Sequence, residues 1–208
     1  MTSQTDQEAQ QQLFADTLIK LQIHSALAKE HIHHNKSPLP LLAQSCSLLD
    51  NLPTTSTATT HWTPVQRTLI DALKIDAWTA LADACIQAND LIQSEASLQR
   101  LATLQDTAAG PFSWRAQKKN NNSKKTSSIS SSESSNSSNG TANSGPTEGH
   151  HQAASGLIQT WGKLRQVYTD MGKVDMANNF GKRIQKMTEL LQDPPIPSPT
   201  PTTTTTTS

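Results

Sequence analysis

The 208-residue chain contains few of the residues that mark specialised classes of protein. Its two cysteines, Cys46 and Cys85, are too few for a disulfide framework or a four-cysteine zinc site. Each lies in an apolar stretch and is therefore expected to be a small buried hydrophobic residue. Because the N-terminus lacks the charged start and unbroken apolar run of a signal peptide, we expect a reducing location, cytoplasmic or nuclear.

Neither sign of charge is in excess, and aromatic residues are scarce. Lys and Arg together number 17, as do Asp and Glu, so the basic footprint of a nucleic-acid binder is missing. With only 4% aromatic residues, the core has to be built on Leu, Ile and Ala, which favours helices over a sheet sandwich. No run reaches the roughly 18 apolar residues of a membrane helix, so membrane insertion is not expected. The composition predicts an all-α protein.

Motifs of the common enzyme classes are also missing. There is no Gly-rich phosphate loop, nucleophile elbow or zinc-protease helix, and nothing in the sequence pairs Cys85 with a base. His24, His31 and His34 fall roughly on one side of a predicted helix and could bind a metal. We prefer the interpretation that they interact with the helix dipole and solvent. No catalytic residue, metal ligand or cofactor is therefore predicted.

Residues 6–52 are predicted to form an N-terminal helical region. A helix over residues 6–34 is indicated by a mainly apolar stripe with steps of three and four. The stripe consists of Phe14, Leu18, Leu21, Ser25, Ala28 and Ile32. Pro38 and Pro40 are expected to close this helix, and a shorter helix follows over residues 41–49.

The next helix start has a strong signal. Thr63 can cap a helix whose first residue is Pro64, while the side chain of Gln66 reaches back, as in a capping box. A further helix is expected to begin at Asp76, which would act as its cap, and another to run over residues 91–104.

Two segments of the chain share one pattern at a constant offset, since Trp78 and Trp161 are 83 residues apart. The aligned pairs are Trp78 with Trp161, Leu81 with Leu164, Cys85 with Tyr168, Asn89 with Gly172, and Ser94 with Ala177. Each copy has the spacing of a helix, a tight turn and a second helix, because Asn and Gly tolerate the left-handed backbone that stops a helix. In the second copy the helices are expected over residues 157–171 and 174–191.

The second copy resembles a tetratricopeptide (TPR) repeat, and the first is a looser match. The resemblance implies that Trp161, Leu164 and Tyr168 pack against the small Ala177 of the following helix. It also implies a stack of helix-turn-helix units, with a capping helix and repeat 1 in residues 63–105 and repeat 2 in residues 155–192. An ordinary helical hairpin is the alternative.

Two segments are compositionally unfit to fold. Residues 106–154 are rich in Ser, Asn and Lys, and residues 193–208 are rich in Pro and Thr, so both are predicted to be disordered. Tandem repeats of the family stand about 34 residues apart, so the first segment is a long insert between the repeats. The basic run Lys118 to Lys125 could be a nuclear-import patch, although a solvated linker is the preferred interpretation.

The resemblance implies a groove, lined by first helices, that holds a peptide or a partner helix. The implied groove residues are Asp76, Thr79, Asp83, Ile86, Gln87, Gln159, Gly162, Gln166, Thr169 and Asp170. They are mainly polar and mildly acidic, whereas binding of acidic chaperone tails requires Lys and Asn. This difference argues against a chaperone tail and favours a neutral or basic peptide.

The implied function is that of a non-catalytic adaptor or scaffold with an unidentified protein partner. The alternative is an obligate structural subunit of a larger complex, which folds on its partner and docks its N-terminal apolar stripe there.

Overall fold

The computed structural model describes residues 4–52, 62–115 and 148–192. Within these ranges the chain forms six α-helices, one short 3₁₀ helix and no strand, which confirms the predicted all-α class for this part of the protein. The helices are α1 (Gln4–His33), α2 (Leu39–Asp50), α3 (Pro64–Gln87), α4 (Leu91–Ala108), α5 (Glu148–Asp170) and α6 (Val174–Gln192), with the 3₁₀ helix Gly110–Phe112 after α4. The predicted loop at residues 53–60, the basic run and the C-terminal tail lie outside the described residues.

Each helix packs against the next one along the chain, so the six helices form three successive hairpins: α1 with α2, α3 with α4, and α5 with α6. The largest core cluster joins α4, α5 and α6. It contains Trp161, Leu164, Tyr168 and Ala177, the four residues that the sequence pattern places together, and all four are buried. Of their counterparts in the first copy, Leu81, Cys85 and Ser94 are buried, while Trp78 is only half-buried.

The turns of the last two hairpins have the same backbone hydrogen bonds at the 83-residue offset. Asn89 and Gly172 both have a left-handed backbone, with φ of 55° and 73°. The amide of the following residue then donates to the carbonyl five residues back, from Asp90 in the first turn at 3.0 Å and from Lys173 in the second at 2.8 Å. The predicted helix stops at Asn89 and Gly172 are therefore confirmed.

The first hairpin has the same stop, which the sequence analysis did not identify. Asn35 has a φ of 54°, and the amide of Lys36 donates to the carbonyl of His31 at 2.7 Å. Pro38 and Pro40 therefore do not close α1 as expected. Instead, Pro38 occupies the N-cap of α2 and Pro40 lies in its first turn, where a missing N–H costs nothing.

Helix α3 begins where the sequence predicts it, but it does not break where expected. The amide of Gln66 donates to Thr63 Oγ1 at 3.2 Å and the amide of Thr63 donates to Gln66 Oε1 at 2.9 Å, which confirms the capping box. The expected helix start at Asp76 is wrong, because α3 continues through it to Gln87. With no Gly or Pro between residues 65 and 87, helical hydrogen bonding outweighs the weak capping tendency of one Asp.

Both boundaries of the insert differ from those expected, residues 106 and 154. Helix α4 runs to Ala108, and the backbone amide of Trp114 donates to the buried carboxylate of Asp106 at 2.6 Å. Helix α5 already begins at Glu148, and Ala154 is fully buried. The segments flanking residues 116–147 are therefore part of the fold, and of the expected insert 106–154 only residues 116–147 lie outside the described ranges.

These two flanks touch each other. The rings of Phe112 and His151 are 4.5 Å apart, and the ring of Trp114 lies edge-on to that of Trp161 at 5.8 Å. Gly110 has a φ of 53°, and a Cβ at this position would lie 2.8 Å from the imidazole of His150. Glycine is therefore required here both by the backbone conformation and by the close approach of the returning chain.

Candidate functional site

An apolar groove opens between α1 and α3, both of which pack on α2. Its volume is about 560 Å³. Its apolar lining consists of Leu18, Leu21, Ala28, Ile32, Pro38, Leu42, Leu49, Leu73, Ala77, Ala80 and Ala84, and its polar lining of Gln22, Ser25, Lys29, Ser45, Asp76, Asp83 and Gln87. The lining is therefore mostly apolar, and the charged residues are few. Concave apolar surface with a few placed polar groups is typical of binding sites.

The two walls of the groove follow from helix periodicity. Residues of the predicted α1 stripe line one wall, where they meet the groove rather than a fully closed core. On the α3 wall, Ala77, Ala80 and Ala84 recur at steps of three and four and so share one face. Ala80 is exposed to solvent. Small side chains on this wall leave room for a close approach to the α3 backbone.

The floor of the groove belongs to α2. Its Ser45 is buried, and the Ser45 hydroxyl donates to the carbonyl of Leu41 at 3.0 Å. The ring Nδ1 of His24 lies 3.2 Å from the same hydroxyl, which fixes the imidazole between α1 and α2. The polar groups of the floor are thus already bonded within the protein, and the surface that remains available there is apolar.

Charge at the rim is asymmetric. Asp76 on α3 and Lys29 on α1 are both exposed, and neither forms an ion pair within the described residues. Asp83 differs, because its carboxylate is paired with the ammonium group of Lys163 on α5. The unpaired rim charges are therefore negative on the α3 side and positive on the α1 side.

Of the five groove residues expected on α3, the structure places three in this groove: Asp76, Asp83 and Gln87. Thr79 does not line it, and its hydroxyl donates to the carbonyl of Ile75 at 2.7 Å. Ile86 is exposed outside the groove.

The five residues expected on α5 do not line this groove. Gln159, Gly162, Gln166, Thr169 and Asp170 are all exposed on α5. The amide of Gln166 donates to the carboxylate of Asp170 at 2.8 Å, so these two are bonded to each other. The ten expected residues therefore do not form one continuous site around the groove.

Several lining residues were missed by the sequence analysis. Ala80 and Ala84 were not named, although their spacing from Ala77 is visible in the sequence and marks a small-residue face. Leu42 and Lys29 were also missed, because the resemblance directs attention to α3 and α5, whereas the groove uses the first hairpin. The stop at Asn35 was the signal that could have indicated a third hairpin.

A cluster of polar side chains outside the groove links α4 to the end of α5. The hydroxyl of Tyr168 donates to Glu95 Oε1 at 2.9 Å and accepts from Gln99 Nε2 at 2.8 Å, while Lys173 Nζ donates to Glu95 Oε2 at 2.9 Å. The hydrogen bond from Lys173 is the largest cause that lowers the pKa of Glu95, and burial raises the pKa of Tyr168. Tyr168 is buried and stacked on Phe180 at 5.5 Å, so this cluster holds α4 against the α5–α6 hairpin.

Both cysteines are buried, as expected from their apolar surroundings. Burial raises the pKa of Cys46 to about 12, with a smaller contribution from Asp50, and burial also raises the pKa of Cys85. Both thiols are therefore held in their neutral, poorly nucleophilic form at neutral pH.

The histidines near the end of α1 contact different groups. His31 Nδ1 lies 3.1 Å from the carbonyl oxygen of Ser37, and His34 Nε2 lies 2.8 Å from Glu30 Oε1. Within the described ranges, no group of three or more His, Cys, Asp or Glu side chains could hold a metal ion. No helix in these ranges is both long enough and apolar enough to cross a membrane.

Comparisons of the chain with protein-family models, with curated proteins and with solved structures found no match. The TPR resemblance therefore rests on the residues of the two copies alone.

Proposed function

We propose that this protein is a non-catalytic binding module of TPR-like construction, an adaptor or scaffold that holds a segment of another protein in the groove between α1 and α3. The single observation that carries the proposal is the groove itself, about 560 Å³ of mostly apolar concave surface. Exposed apolar surface of this kind is costly in water and marks sites that a partner covers. We place the protein in the cytoplasm or nucleus, in line with its few cysteines.

The position of the groove supports this function. In the family that the second copy resembles, first helices of successive hairpins line the binding surface. Helices α1 and α3 are the first helices of successive hairpins here, and α2 lies behind them. The groove thus falls where a TPR-like module would bind, although one hairpin earlier than the sequence pattern indicated.

The proposal can be tested by filling the groove. Ala80→Trp places an indole on the α3 wall at an exposed position, so the fold is expected to tolerate it. Ala72→Trp is the matched control, because Ala72 is exposed on the same helix and does not line the groove. Affinity capture from extracts should recover the same partner with the wild type and Ala72→Trp, and at least about tenfold less of it with Ala80→Trp. Equal capture by both variants would show that the groove is not the binding surface.

A second candidate function, an obligate structural subunit, is favoured by the outer face of α1. Ile19, Ile23 and Leu27, spaced four apart on the face opposite the stripe that lines the groove, are 54%, 50% and 44% exposed. An apolar face that stays uncovered within the described residues is typical of a site that a partner covers. Sedimentation and thermal melting of the purified chain distinguish the two functions. A monomer that unfolds cooperatively supports the adaptor, and an aggregating chain without a transition supports the subunit.

A further inference from the structure

We infer that the occupant of the groove is an amphipathic α-helix of about four turns, with basic side chains on the flank that faces α3. This inference rests on the proposed function and makes the class of partner specific. It follows from the length of the groove, the alanine face that α3 presents to it, and the charges at its rim.

The length of the groove fits a helix. Its lining extends from Leu18 to Ile32 on α1 and from Leu73 to Gln87 on α3. At about 1.5 Å per residue, each wall is about 21 Å long, which matches a helix of about 14 residues. A fully extended segment would cover the same distance with only about six residues and so would present few side chains to the groove.

The chemistry of the walls also favours a helix over an extended segment. Ala77, Ala80 and Ala84 offer no side-chain donors or acceptors, and the hydroxyl of Ser45 on the floor is already bonded. An extended backbone laid against this alanine face would leave the N–H and C=O groups on that side without side-chain partners, at a cost for each group. A helix satisfies these groups internally.

The small residues of α3 further suit a helical occupant. Helix axes can approach to about 8 Å where the contacting side chains are small, compared with about 10 Å for larger ones. The alanine face of α3 therefore permits close packing, while larger side chains of the occupant contact Leu18 of α1 and Leu42 of α2, which also line the groove.

The charges at the rim of the groove indicate which flank of the bound helix is basic. Asp76 on the α3 rim forms no ion pair within the described part of the chain, whereas Asp83 is already paired with Lys163. A Lys or Arg of the occupant beside Asp76 would be attracted, and an acidic residue there would be repelled. Lys29 on the opposite rim favours an acidic residue on the other flank.

Three synthetic, fluorescently labelled 14-residue peptides test this inference by polarisation titration against the full chain. The first has a leucine stripe with Lys along one flank and neutral Gln along the other, the second has Glu in place of those Lys residues, and the third is the Lys peptide with two central prolines. We expect the Lys peptide to bind about three- to fivefold tighter than the Glu peptide, as for a rim ion pair. It should also bind at least about tenfold tighter than the proline peptide, which cannot form the helix.

Charge reversal provides the decisive control. Asp76→Lys should lower the affinity for the Lys peptide and raise the affinity for the Glu peptide by about threefold each. The variant would then prefer the Glu peptide. Asp71→Lys, at an exposed position of α3 outside the groove, should leave both affinities unchanged. Circular dichroism of both variants checks that their helix content is unaltered. An unchanged preference in Asp76→Lys would refute the assignment of the flank.

The remaining outcomes separate this inference from the proposed function. If the proline peptide binds as tightly as the Lys peptide and Ala80→Trp blocks both, the groove holds an extended segment, and only the helix is refuted. If Ala80→Trp changes neither peptide binding nor partner capture, the proposed function fails as well. If Ala80→Trp instead converts a dimer to a monomer in sedimentation, the occupant is a second copy of this chain and the inference is wrong.

Discussion

Replacing Trp161 with Ala tests the packing of the last hairpin most directly. The indole is 4% exposed and lies in the core cluster that joins α4, α5 and α6. It contacts Trp114 edge-on, with ring centroids 5.8 Å apart, and Phe180 at 6.5 Å. The substitution therefore removes a large buried side chain and two aromatic contacts, and it loosens the segment that precedes residue 116.

The expected cost can be worked out from these contacts. A buried Trp→Ala substitution costs about 3–5 kcal/mol through lost transfer free energy and the cavity that remains. The two aromatic contacts place Trp161 toward the upper end of that range, since each such pair is worth about 0.5–1.5 kcal/mol. Against a typical total stability of about 5–15 kcal/mol, the variant would lose a third or more of its free energy of unfolding.

The aligned residue Trp78 supplies the matched comparison. It is only half-buried, and its indole N–H is buried without a hydrogen-bond partner in the described structure. An unpaired buried donor costs about 1–3 kcal/mol, so removing it offsets part of the lost packing. We expect the cost of Trp78→Ala to be about 2 kcal/mol smaller than that of Trp161→Ala.

Urea unfolding of the wild type and both variants, followed by far-UV circular dichroism, measures these differences. Equal midpoints for Trp161→Ala and the wild type would show that the packing described for the α5–α6 hairpin is incorrect. A larger loss for Trp78→Ala than for Trp161→Ala would contradict the burial of the two indoles.

Two further predictions concern Glu95 and the left-handed turns. The pKa of Glu95 is lowered from its ordinary 4.5, so the stability it contributes is complete above pH 4.5 and is lost as the pH falls through the lower, folded-state pKa. Glu95→Gln should therefore cost about 1 kcal/mol at pH 7 and progressively less below pH 4.5, as measured by urea midpoints across pH; a cost independent of pH would contradict the ion pair. At Gly172 a Cβ would meet no atom within 4 Å, so Gly172→Ala should cost only the backbone strain, about 1 kcal/mol. Gly172→Asn, which copies Asn89, should cost less in the same assay, and equal costs would argue against the left-handed conformation.

The features predicted correctly from the sequence are those fixed by local chemistry. The capping box at Thr63 and the stops at Asn89 and Gly172 depend on a few neighbouring atoms, so residue type alone indicates them. The burial of Trp161 and Tyr168 was implied by the resemblance of the second copy to a TPR repeat. The helix start wrongly predicted at Asp76 shows the limit of such local signals. An Asp that precedes an apolar run is also compatible with the middle of a continuous helix.

The groove could be predicted only in part because it depends on how hairpins pack. The resemblance implied that Asp76 and Asp83 belong to a groove lined by the first helices of the two copies, whereas in the structure they line a groove whose opposite wall belongs to α1. No spacing within the sequence shows that Lys29 and Asp76 lie on opposite rims of one groove. The five positions expected on α5 do not line this groove, and their part in partner binding stays a prediction.

The contact between the two flanks of residues 116–147 has a consequence for engineering. The tilted ring contact of Phe112 with His151 and the close fit of Gly110 against His150 hold the described residues on either side of 116–147 next to each other. The separation of these two points is therefore set by the folded residues and not by the length of chain between them. A reporter domain with closely spaced termini, or a pair of new chain ends, could be introduced between residues 116 and 147 without altering the spacing of α4 and α5.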